Sequence, residues 1–276
     1  MLFESIRSQM NIIFRRKTAM ITFYIMIIFV ICNYISNVLT YNGYDILEMY
    51  EPVKLLLLSD ENVNSPFGFY FMQIYPFIVV LPAGFSLSVD KQSNTMLFLC
   101  SRVGNRNYFI GKIIAAFFAA LIIFFIPLSL EVILNYFSFP KEAMGNLYNL
   151  GVYSQNYIDI VKSYPFSQIY VTHPYIYVIG WSILFGVAAG MLNVITIAVS
   201  TFRIPYKVLL FLPVYFILNA MYWIGDYFGR PISHFFFLRM FVPNQPGYLI
   251  FYGVIFILFL LSIVVIIKKG KKDYLG

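Results

Sequence analysis

The sequence has few charged residues, few cysteines and few histidines. Aspartate, glutamate, lysine and arginine make up 11% of its 276 residues, where about 25% is usual in soluble domains. Its two cysteines, Cys32 and Cys100, cannot build a disulfide framework. Its two histidines, His173 and His234, are far apart and lack the neighbours of a metal site. We therefore expect no metal and no cofactor in this chain.

Motifs for nucleotide or acyl chemistry are missing as well. A phosphate-binding loop needs the spacing GxxxxGK[ST]. Here Gly104 and Gly111–Lys112 have a different spacing, and Ile113 follows where serine or threonine is required. Paired carboxylates and nucleophile motifs are also lacking at the ends of apolar segments. We therefore predict that the chain is not an enzyme and does not bind ATP through such a loop.

Apolar residues are abundant instead, at 61% of the chain against about 45–50% in soluble domains. A transmembrane helix needs about 20 of them in succession. Six stretches meet this length: Ala19–Leu39, Phe67–Val89, Ile113–Phe137, Tyr175–Thr201, Val208–Ile224 and Tyr248–Ile267. We predict an all-α integral membrane protein with six transmembrane helices in one domain over residues 1–276.

Four prolines, Pro76, Pro82, Pro127 and Pro213, lie inside these stretches. Each would cost about 3 kcal/mol within a soluble helix. In a membrane bundle, neighbouring helices can bond the backbone groups that proline frees. We therefore expect kinked spans at these positions.

The basic residues divide unevenly between the two sides that six spans define. The side of both termini holds 14 of the 19: Arg7, Arg15, Arg16, Lys17, Lys91, Arg102, Arg106, Lys112, Arg203, Lys207, Lys268, Lys269, Lys271 and Lys272. The other side holds Lys54, Lys141, Lys162, Arg230 and Arg239. Because lysine and arginine collect in cytoplasmic loops, we predict both termini in the cytoplasm. We expect the membrane to be the cell (plasma) membrane of a bacterium. The net charge of +7 then reflects loops beside anionic lipid, and we expect no nucleic-acid partner.

The first 18 residues are amphipathic. Apolar residues recur there at steps of three and four: Leu2, Phe3, Ile6, Met10, Ile13 and Phe14. Basic residues stand between and after them. This pattern predicts a helix lying in the cytoplasmic interface, and a flexible, positively charged lead-in is the alternative.

The loop between the second and third spans mixes polar and apolar residues. An apolar cluster, Met96–Leu99, is followed by Arg102 and Arg106. We predict a short amphipathic helix here, then a turn at Gly104–Asn105 and a helix leading into the third span. The apolar side of the short helix needs a protein partner or the membrane surface. A basic loop that only obeys the orientation rule is the alternative.

This loop resembles that of the permease subunit of type 2 ATP-binding-cassette (ABC) exporters. The matching positions are Asp90, Thr95, the Met96–Leu99 cluster, Ser101–Arg102 and Gly111–Lys112. The family usually begins this pattern with Glu-x-x-x-Gly-Thr, where this chain has Asp90 and Asn94–Thr95. With the six-span layout and the N-terminal helix, the resemblance extends over the whole chain.

The resemblance implies a transport subunit with partners. Residues 90–106 would form a coupling helix that docks on a separate ATPase subunit through Asp90, Thr95, Met96, Leu97, Phe98, Leu99, Arg102 and Arg106. A second permease subunit, identical or related, would complete the path for a peptide, drug or lipid-like substrate, and ATP and Mg would bind the ATPase. Two short re-entrant helices would lie between Asp226 and Gly247, a segment that also suits an aromatic belt at the interface.

Polar and small residues inside the spans suggest further roles. Glu131 is a candidate for gating or the substrate path, or it reaches the interface near the end of its span. Asn193 is a weaker candidate for that path, since it and Thr196 suit hydrogen bonds between helices better. The step Gly186–Gly190 favours close helix packing within one subunit over dimerisation.

Three further kinds of protein are compatible with the sequence. The first is an ion-coupled secondary transporter, which typically has several charged residues at mid-membrane and an internal repeat. Here Glu131 is the one such residue. The second is a membrane enzyme, and the third is an accessory membrane protein without ATP coupling.

Overall fold

The fold is all-helical in the part of the chain that the computed structural model describes, which is residues 2–62, 65–147, 150–202, 206–229, 232–243 and 245–272. The α-helices are α1 (Leu2–Phe14), α2 (Lys17–Thr40), α3 (Phe67–Ile78), α4 (Ser86–Gln92), α5 (Thr95–Val103), α6 (Asn105–Ser138), α7 (Gln155–Ser163), α8 (Ser167–Thr172), α9 (Pro174–Ser200), α10 (Leu212–Tyr227), α11 (His234–Phe237) and α12 (Gln245–Lys272). Short 3₁₀ turns cover Ile46–Glu48, Pro52–Leu55 and Lys207–Phe211. The predicted all-α class is confirmed.

Five segments are long and apolar enough to cross a bilayer. They are Lys17–Thr40, Asn105–Ser138, Pro174–Ser200, Lys207–Tyr227 and Gly247–Lys269. They correspond to the first, third, fourth, fifth and sixth predicted spans. The third begins at Asn105 instead of Ile113, because the polar residues before Ile113 continue the helix. The chain is thus a multi-pass membrane protein.

The predicted second span, Phe67–Val89, is not one continuous helix. Helix α3 ends at Ile78, a series of turns follows, and α4 begins at Ser86. Pro82 lies in the turns and has no N–H to donate to the Ile78 carbonyl, which accepts instead from Leu81 N at 3.2 Å. The prediction of six transmembrane helices is therefore not confirmed.

Helices α6 and α9 form the centre of the bundle because small residues let them approach closely. A Cβ atom added at Gly190 would lie 2.8 Å from the Phe117 carbonyl oxygen, and one at Gly186 would lie 3.1 Å from the Leu121 carbonyl oxygen. The Gly186–Gly190 step therefore packs against α6 of the same chain, as predicted.

Loops at the end of the bundle where α2 and α6 finish fold together into one unit. We call the described residues of 41–66, 139–173 and 228–243 the cap. Isolated parallel bridges join Tyr50 to Gly145 and Ser59 to Met240. These bridges connect the loop after α2 to the segment after α6 and to the segment after α10, so the three segments of the cap form one ordered structure.

The cap has an aromatic core that continues into α9 and α12. Its buried rings are Tyr164, Tyr170, Tyr177, Trp181, Phe241 and Tyr248. The ring centroids of Trp181 and Tyr248 are 5.1 Å apart in an edge-to-face arrangement, and those of Tyr170 and Phe241 are 5.3 Å apart. Such pairs add to the free energy gained by burying the rings.

Charged side chains are enclosed in the same core. The Lys54 ammonium group is fully buried and lies 2.9 Å from both the Glu61 carboxylate and the Tyr157 hydroxyl. Tyr170 donates a hydrogen bond of 2.5 Å to Glu51. Burial alone would lower the pKa of Lys54. The nearby Glu61, Tyr157 and Glu51 together raise it by more, so the pKa of Lys54 is above its usual 10.5. Burial raises the pKa of Glu51 above 4.5, although the Lys54 charge opposes the shift.

The segment between α10 and α12 contains less helix than the resemblance implies. Its described residues form the single short helix α11, where His234 is buried and lies 3.3 Å from the Met72 carbonyl oxygen. Burial lowers the pKa of His234 to about 4, so its ring is neutral at pH 7. The pair of re-entrant helices is not confirmed among these residues. Arg203 and Arg230, which entered the predictions above, lie outside the described residues.

We expect Glu51→Gln to stabilise the cap at neutral pH, since glutamine still accepts the Tyr170 hydrogen bond without a buried charge. The pKa of Glu51 is higher in the folded state than in the unfolded state, so the protonated carboxyl favours folding. This stabilisation is fully present below about pH 4.5 and is lost as the pH rises through the folded-state pKa. The thermal unfolding midpoint of the wild-type protein in detergent should therefore fall over that window more steeply than that of Glu51→Gln.

The matched control for this prediction is Glu61→Gln. It leaves the Lys54 charge buried beside a neutral amide and should destabilise the protein at pH 7 by about 3 kcal/mol. Equal changes in the two variants would contradict the assignment of the ion pair to Lys54 and Glu61.

Candidate functional site

Asp90 is the centre of a buried ionic network at the end of α4. Its Oδ1 lies 2.6 Å from Nη2 of Arg16, and its Oδ2 lies 2.5 Å from Nζ of Lys112. The Tyr108 hydroxyl donates to the same Oδ2 at 2.7 Å. We call these four residues the Asp90 junction. The side chains of Asp90 and Lys112 are 3% and 0% exposed.

The Asp90 junction joins parts of the chain that are distant in sequence. Arg16 stands between α1 and α2, and Tyr108 and Lys112 are on α6. Arg16 also donates to the Ser86 carbonyl oxygen at 3.3 Å, at the start of α4. One carboxylate thus holds α4, α6 and the α1–α2 connection together. Removing one partner of such a network leaves an uncompensated charge in the interior.

Helix α1 lies along the start of α6 and completes this region. Ser5 and Gln9 are buried, and each donates a 3.2 Å hydrogen bond to a carbonyl oxygen of α6. A Cβ atom at Gly111 would be 2.5 Å from the Ser5 hydroxyl oxygen, so glycine allows this close approach. The apolar side chains of Leu2 and Phe3 stay exposed. The predicted N-terminal helix is present, and its place at a membrane interface stays a prediction.

Helix α5 is set off from its neighbours by two residues with left-handed backbone. Asn94 precedes it with φ of 56°, and Gly104 follows it with φ of 80°. Asparagine and glycine tolerate this region better than other residues. The predicted short helix and the turn at Gly104–Asn105 are therefore present.

The two faces of α5 differ in exposure. Met96 and Cys100 are buried in a cluster with the start of α6. Leu97 and Phe98 are 59% and 54% exposed. The Arg102 guanidinium carbon lies 4.3 Å from the centre of the Phe98 ring, a cation–π contact on the exposed face. Burial, and secondarily the Asp90 charge, raises the pKa of the Cys100 thiol to about 11, so it stays protonated at neutral pH.

The residues predicted to couple to an ATPase do not share one surface. Asp90 and Met96 are buried, Thr95 and Leu99 are half-buried, and Leu97, Phe98, Arg102 and Arg106 are exposed. The exposed group offers most of the surface that a partner could contact. The buried residues instead fix the position of α5.

Glu131 is in the interior, next to the cap. Its side chain is 1% exposed, and Oε1 accepts hydrogen bonds from Asn33 Nδ2 at 2.6 Å and from the Leu57 backbone N–H at 2.8 Å. Asn33 in turn accepts a 2.5 Å hydrogen bond from the Ser65 hydroxyl. This geometry anchors the cap loop to α2 and α6. A role in gating or the substrate path stays a prediction.

Asn193 replaces a missing backbone hydrogen bond in the broken segment between α3 and α4. Its Oδ1 accepts from Ala83 N at 3.1 Å, and its Nδ2 donates to the Val79 carbonyl oxygen at 2.5 Å. In a continuous helix the N–H of residue 83 would donate to the carbonyl of residue 79. Asn193 thus bonds the turns that follow α3, and not a second helix as predicted. Thr196 instead bonds the Leu192 carbonyl oxygen of its own helix.

Several residues of this region were not predicted from sequence. Arg16 is one of many basic residues near the N-terminus, and Tyr108 is one of 23 tyrosines. Asn33 and Asn37 had a readable signal, because two amides four residues apart share one face of an otherwise apolar helix. Both donate to the Leu55 carbonyl oxygen, at 2.9 and 2.6 Å.

No protein-family model matches the chain, and neither a curated protein nor a solved structure matches it.

We expect Asp90→Asn to lower the free energy of unfolding by about 3–5 kcal/mol, because Lys112 keeps its charge in the interior. The control is Asp159→Asn, which breaks an exposed 4.0 Å pair with Lys162 and should change stability by less than about 0.5 kcal/mol. Thermal unfolding in detergent measures both. The double variant Asp90→Asn/Lys112→Met should recover part of the loss, and a double variant less stable than Asp90→Asn would contradict the ionic account.

A second prediction concerns Asn193→Leu, which leaves the Ala83 N–H and the Val79 carbonyl without partners. It should destabilise the protein by about 2 kcal/mol or more and speed hydrogen exchange of the Ala83 amide, as measured by mass spectrometry on a peptide covering the break. Asn219→Leu is the control, since Asn219 is half-buried and its side chain donates to the Tyr215 carbonyl oxygen of its own helix. Unchanged exchange in Asn193→Leu would show that the amide does not hold the break.

Proposed function

We propose that this chain is the permease subunit of an ATP-driven ABC exporter. In this proposal the chain forms the path for a peptide, drug or lipid-like substrate, and α5 is the coupling helix that docks on a separate ATPase subunit. A second permease subunit, identical or related, completes the path. ATP and Mg bind the ATPase, so this chain is a transport subunit and not an enzyme.

The observation that supports the proposal best is the exposed face of α5. Leu97, Phe98 and Arg102 are exposed on α5, and Arg106, at the start of α6, is exposed as well. Two guanidinium groups would be costly in hydrocarbon, whereas a groove on a protein accommodates aliphatic, aromatic and arginine side chains together. An amphipathic helix in a groove is a recurrent way of binding a partner.

The Asp90 junction gives α5 the rigidity that a coupling element needs. A force applied to Leu97 and Phe98 would pass through α4 to the ionic contacts with Arg16 and Lys112, and from them into α2 and α6. ATP binding to the ATPase can change the conformation of the permease only if the two conformations differ in their affinity for the ATPase. Contacts at α5 that differ between the two states would supply this difference.

The proposal includes a topology. The chain crosses the membrane six times, with α3, the break at Pro82 and α4 together forming the second crossing. The backbone groups of the break are sheltered by Asn193 of α9, as non-helical backbone at membrane depth requires. Both termini and α5 then lie in the cytoplasm, and the membrane is the plasma membrane of a bacterial cell.

An ion-coupled transporter is supported less well. Such a protein needs an ionisable group that can exchange its ion during the cycle. Glu131 is instead held by Asn33 and by the backbone of Leu57, a geometry suited to an anchor.

The test is affinity purification of the protein from native membranes in mild detergent, with the bound subunits identified and assayed for ATP hydrolysis. The wild-type chain should retain an ATPase subunit in a fixed ratio, and Leu97→Ser/Phe98→Ser should lose it about tenfold or more, since two apolar anchors are removed from an interface.

Leu47→Ser is the control for this experiment. Leu47 is 93% exposed in the cap, on the side of the bundle opposite α5 in the proposed topology, so the variant should retain the ATPase. Full retention by the α5 double variant would exclude the proposed docking site, and a wild-type chain that purifies without any ATPase would favour an accessory protein or an ion-coupled transporter.

A further inference from the structure

A groove of about 270 Å³ opens on the side of the bundle between α2 and α6. Its lining residues are Phe14, Ala19, Met20, Phe23, Tyr24, Ile122, Ile123 and Ile126. Apart from the Tyr24 hydroxyl, these side chains consist of hydrocarbon and the Met20 sulfur. Met20, Tyr24 and Ile126 are 46%, 58% and 47% exposed. Since both helices are membrane-spanning, the groove opens towards lipid.

Two exposed cations, Arg15 and Lys17, lie in the chain between Phe14 and Met20, which both line this groove. Arg15 and Lys17 flank Arg16, whose guanidinium is engaged by Asp90. Within the described ranges, the side chains of Arg15 and Lys17 make neither an ion pair nor a hydrogen bond. Lys17 precedes Met20 by three residues, so it is on the groove's face of α2, about 4.5 Å along the helix axis.

The geometry points to a binding site for an anionic phospholipid, with one acyl chain in the groove and the phosphate at Arg15 and Lys17. Long basic side chains at the end of a transmembrane helix reach the headgroup layer while their aliphatic stems stay in the apolar region. The inference needs only that α2 and α6 cross the membrane, so it is independent of the proposed transport function.

The recess between the helices separates this site from an ordinary lipid-facing surface. Ala19 is 1% exposed and forms the floor. Phe14, from the end of α1, also lines the groove. An acyl chain placed here contacts both helices and α1, whereas a chain on a convex helix face contacts one helix. The two cations then select the headgroup.

A tryptophan placed in the groove can report the lipid that occupies it. We suggest Phe23→Trp in a Trp223→Phe background, because Trp223 is 61% exposed and would add a lipid-facing signal. The protein is reconstituted in phosphatidylcholine vesicles that contain brominated phosphatidylglycerol or brominated phosphatidylcholine. Bromine on an acyl chain quenches a tryptophan that it touches.

We expect phosphatidylglycerol to occupy the groove about 25-fold more strongly than phosphatidylcholine, from about fivefold for each cation. Arg15→Gln and Lys17→Gln should each reduce the preference about fivefold. Lys207→Gln removes another exposed charge away from the groove and should leave the preference unchanged. Equal quenching by both lipids, or an equal loss in Lys207→Gln, would overturn the proposed site.

Native mass spectrometry tests the site without the reporter tryptophan at residue 23. The wild-type protein should keep a bound phosphatidylglycerol under conditions that remove phosphatidylcholine, and Arg15→Gln/Lys17→Gln should lose it. Ile122→Trp, which fills the groove without changing a charge, should lose it as well. Retention in Ile122→Trp would contradict the placement of the acyl chain.

Discussion

The side chain of Asp90 brings two cations from distant parts of the chain to one buried carboxylate. Arg16 is 74 residues away along the chain and Lys112 is 22 residues away. Lys112 is 0% exposed, and a lysine so deeply buried is stable in its charged form only beside a negative group. The positions of α4, α6 and the N-terminal helix are therefore not independent of one another. Helix α5 follows α4 directly and takes its place from the same contacts.

Amide side chains supply a second kind of constraint. A buried backbone N–H or carbonyl that has no partner lowers stability, so such groups find partners within the protein. Asn193 provides both partners at the break after α3. Asn33, Asn37 and Asn62 all donate to the single carbonyl oxygen of Leu55, at 2.9, 2.6 and 2.8 Å. The irregular parts of the chain are thus held by asparagines on or near regular helices.

Hydropathy was sufficient to predict five spans, because each is a long apolar run whose helix satisfies its own backbone. For the run from Phe67 to Val89 the prolines predicted a kink, whereas the structure has two helices separated by turns. Apolar composition did not reveal that Asn193 supplies the hydrogen bonds at this break. The mixed composition of Met96–Leu99 and Arg102 predicted α5 correctly. The partners of Asp90 could not be predicted, because nothing local marks Arg16 or Tyr108 as buried.

The cap was underestimated for a related reason. Its tyrosines and phenylalanines have the composition of an interfacial aromatic belt, and only their mutual contacts show that they form a core. Lys54 is fully buried in that core, although a single lysine among acidic residues in a loop suggests a solvated charge. Burial of an ion pair depends on contacts across the fold, such as the one between Lys54 and Tyr157, which are 103 residues apart.

The length of α6 sets the depth of the charged residues. Its 34 residues span about 51 Å at 1.5 Å per residue, while the hydrocarbon layer is about 30 Å thick. About 20 Å of the helix must project into headgroups and water or be absorbed by tilt. Lys112 lies seven residues after the first residue of α6, about 10 Å along the axis. If the excess length is shared equally by the two ends of α6, this is the level of the hydrocarbon boundary. The thickness of the bilayer then changes the surroundings of the ionic contacts of Asp90. In a thicker membrane they lie closer to the acyl chains, and in a thinner membrane they are more accessible to water.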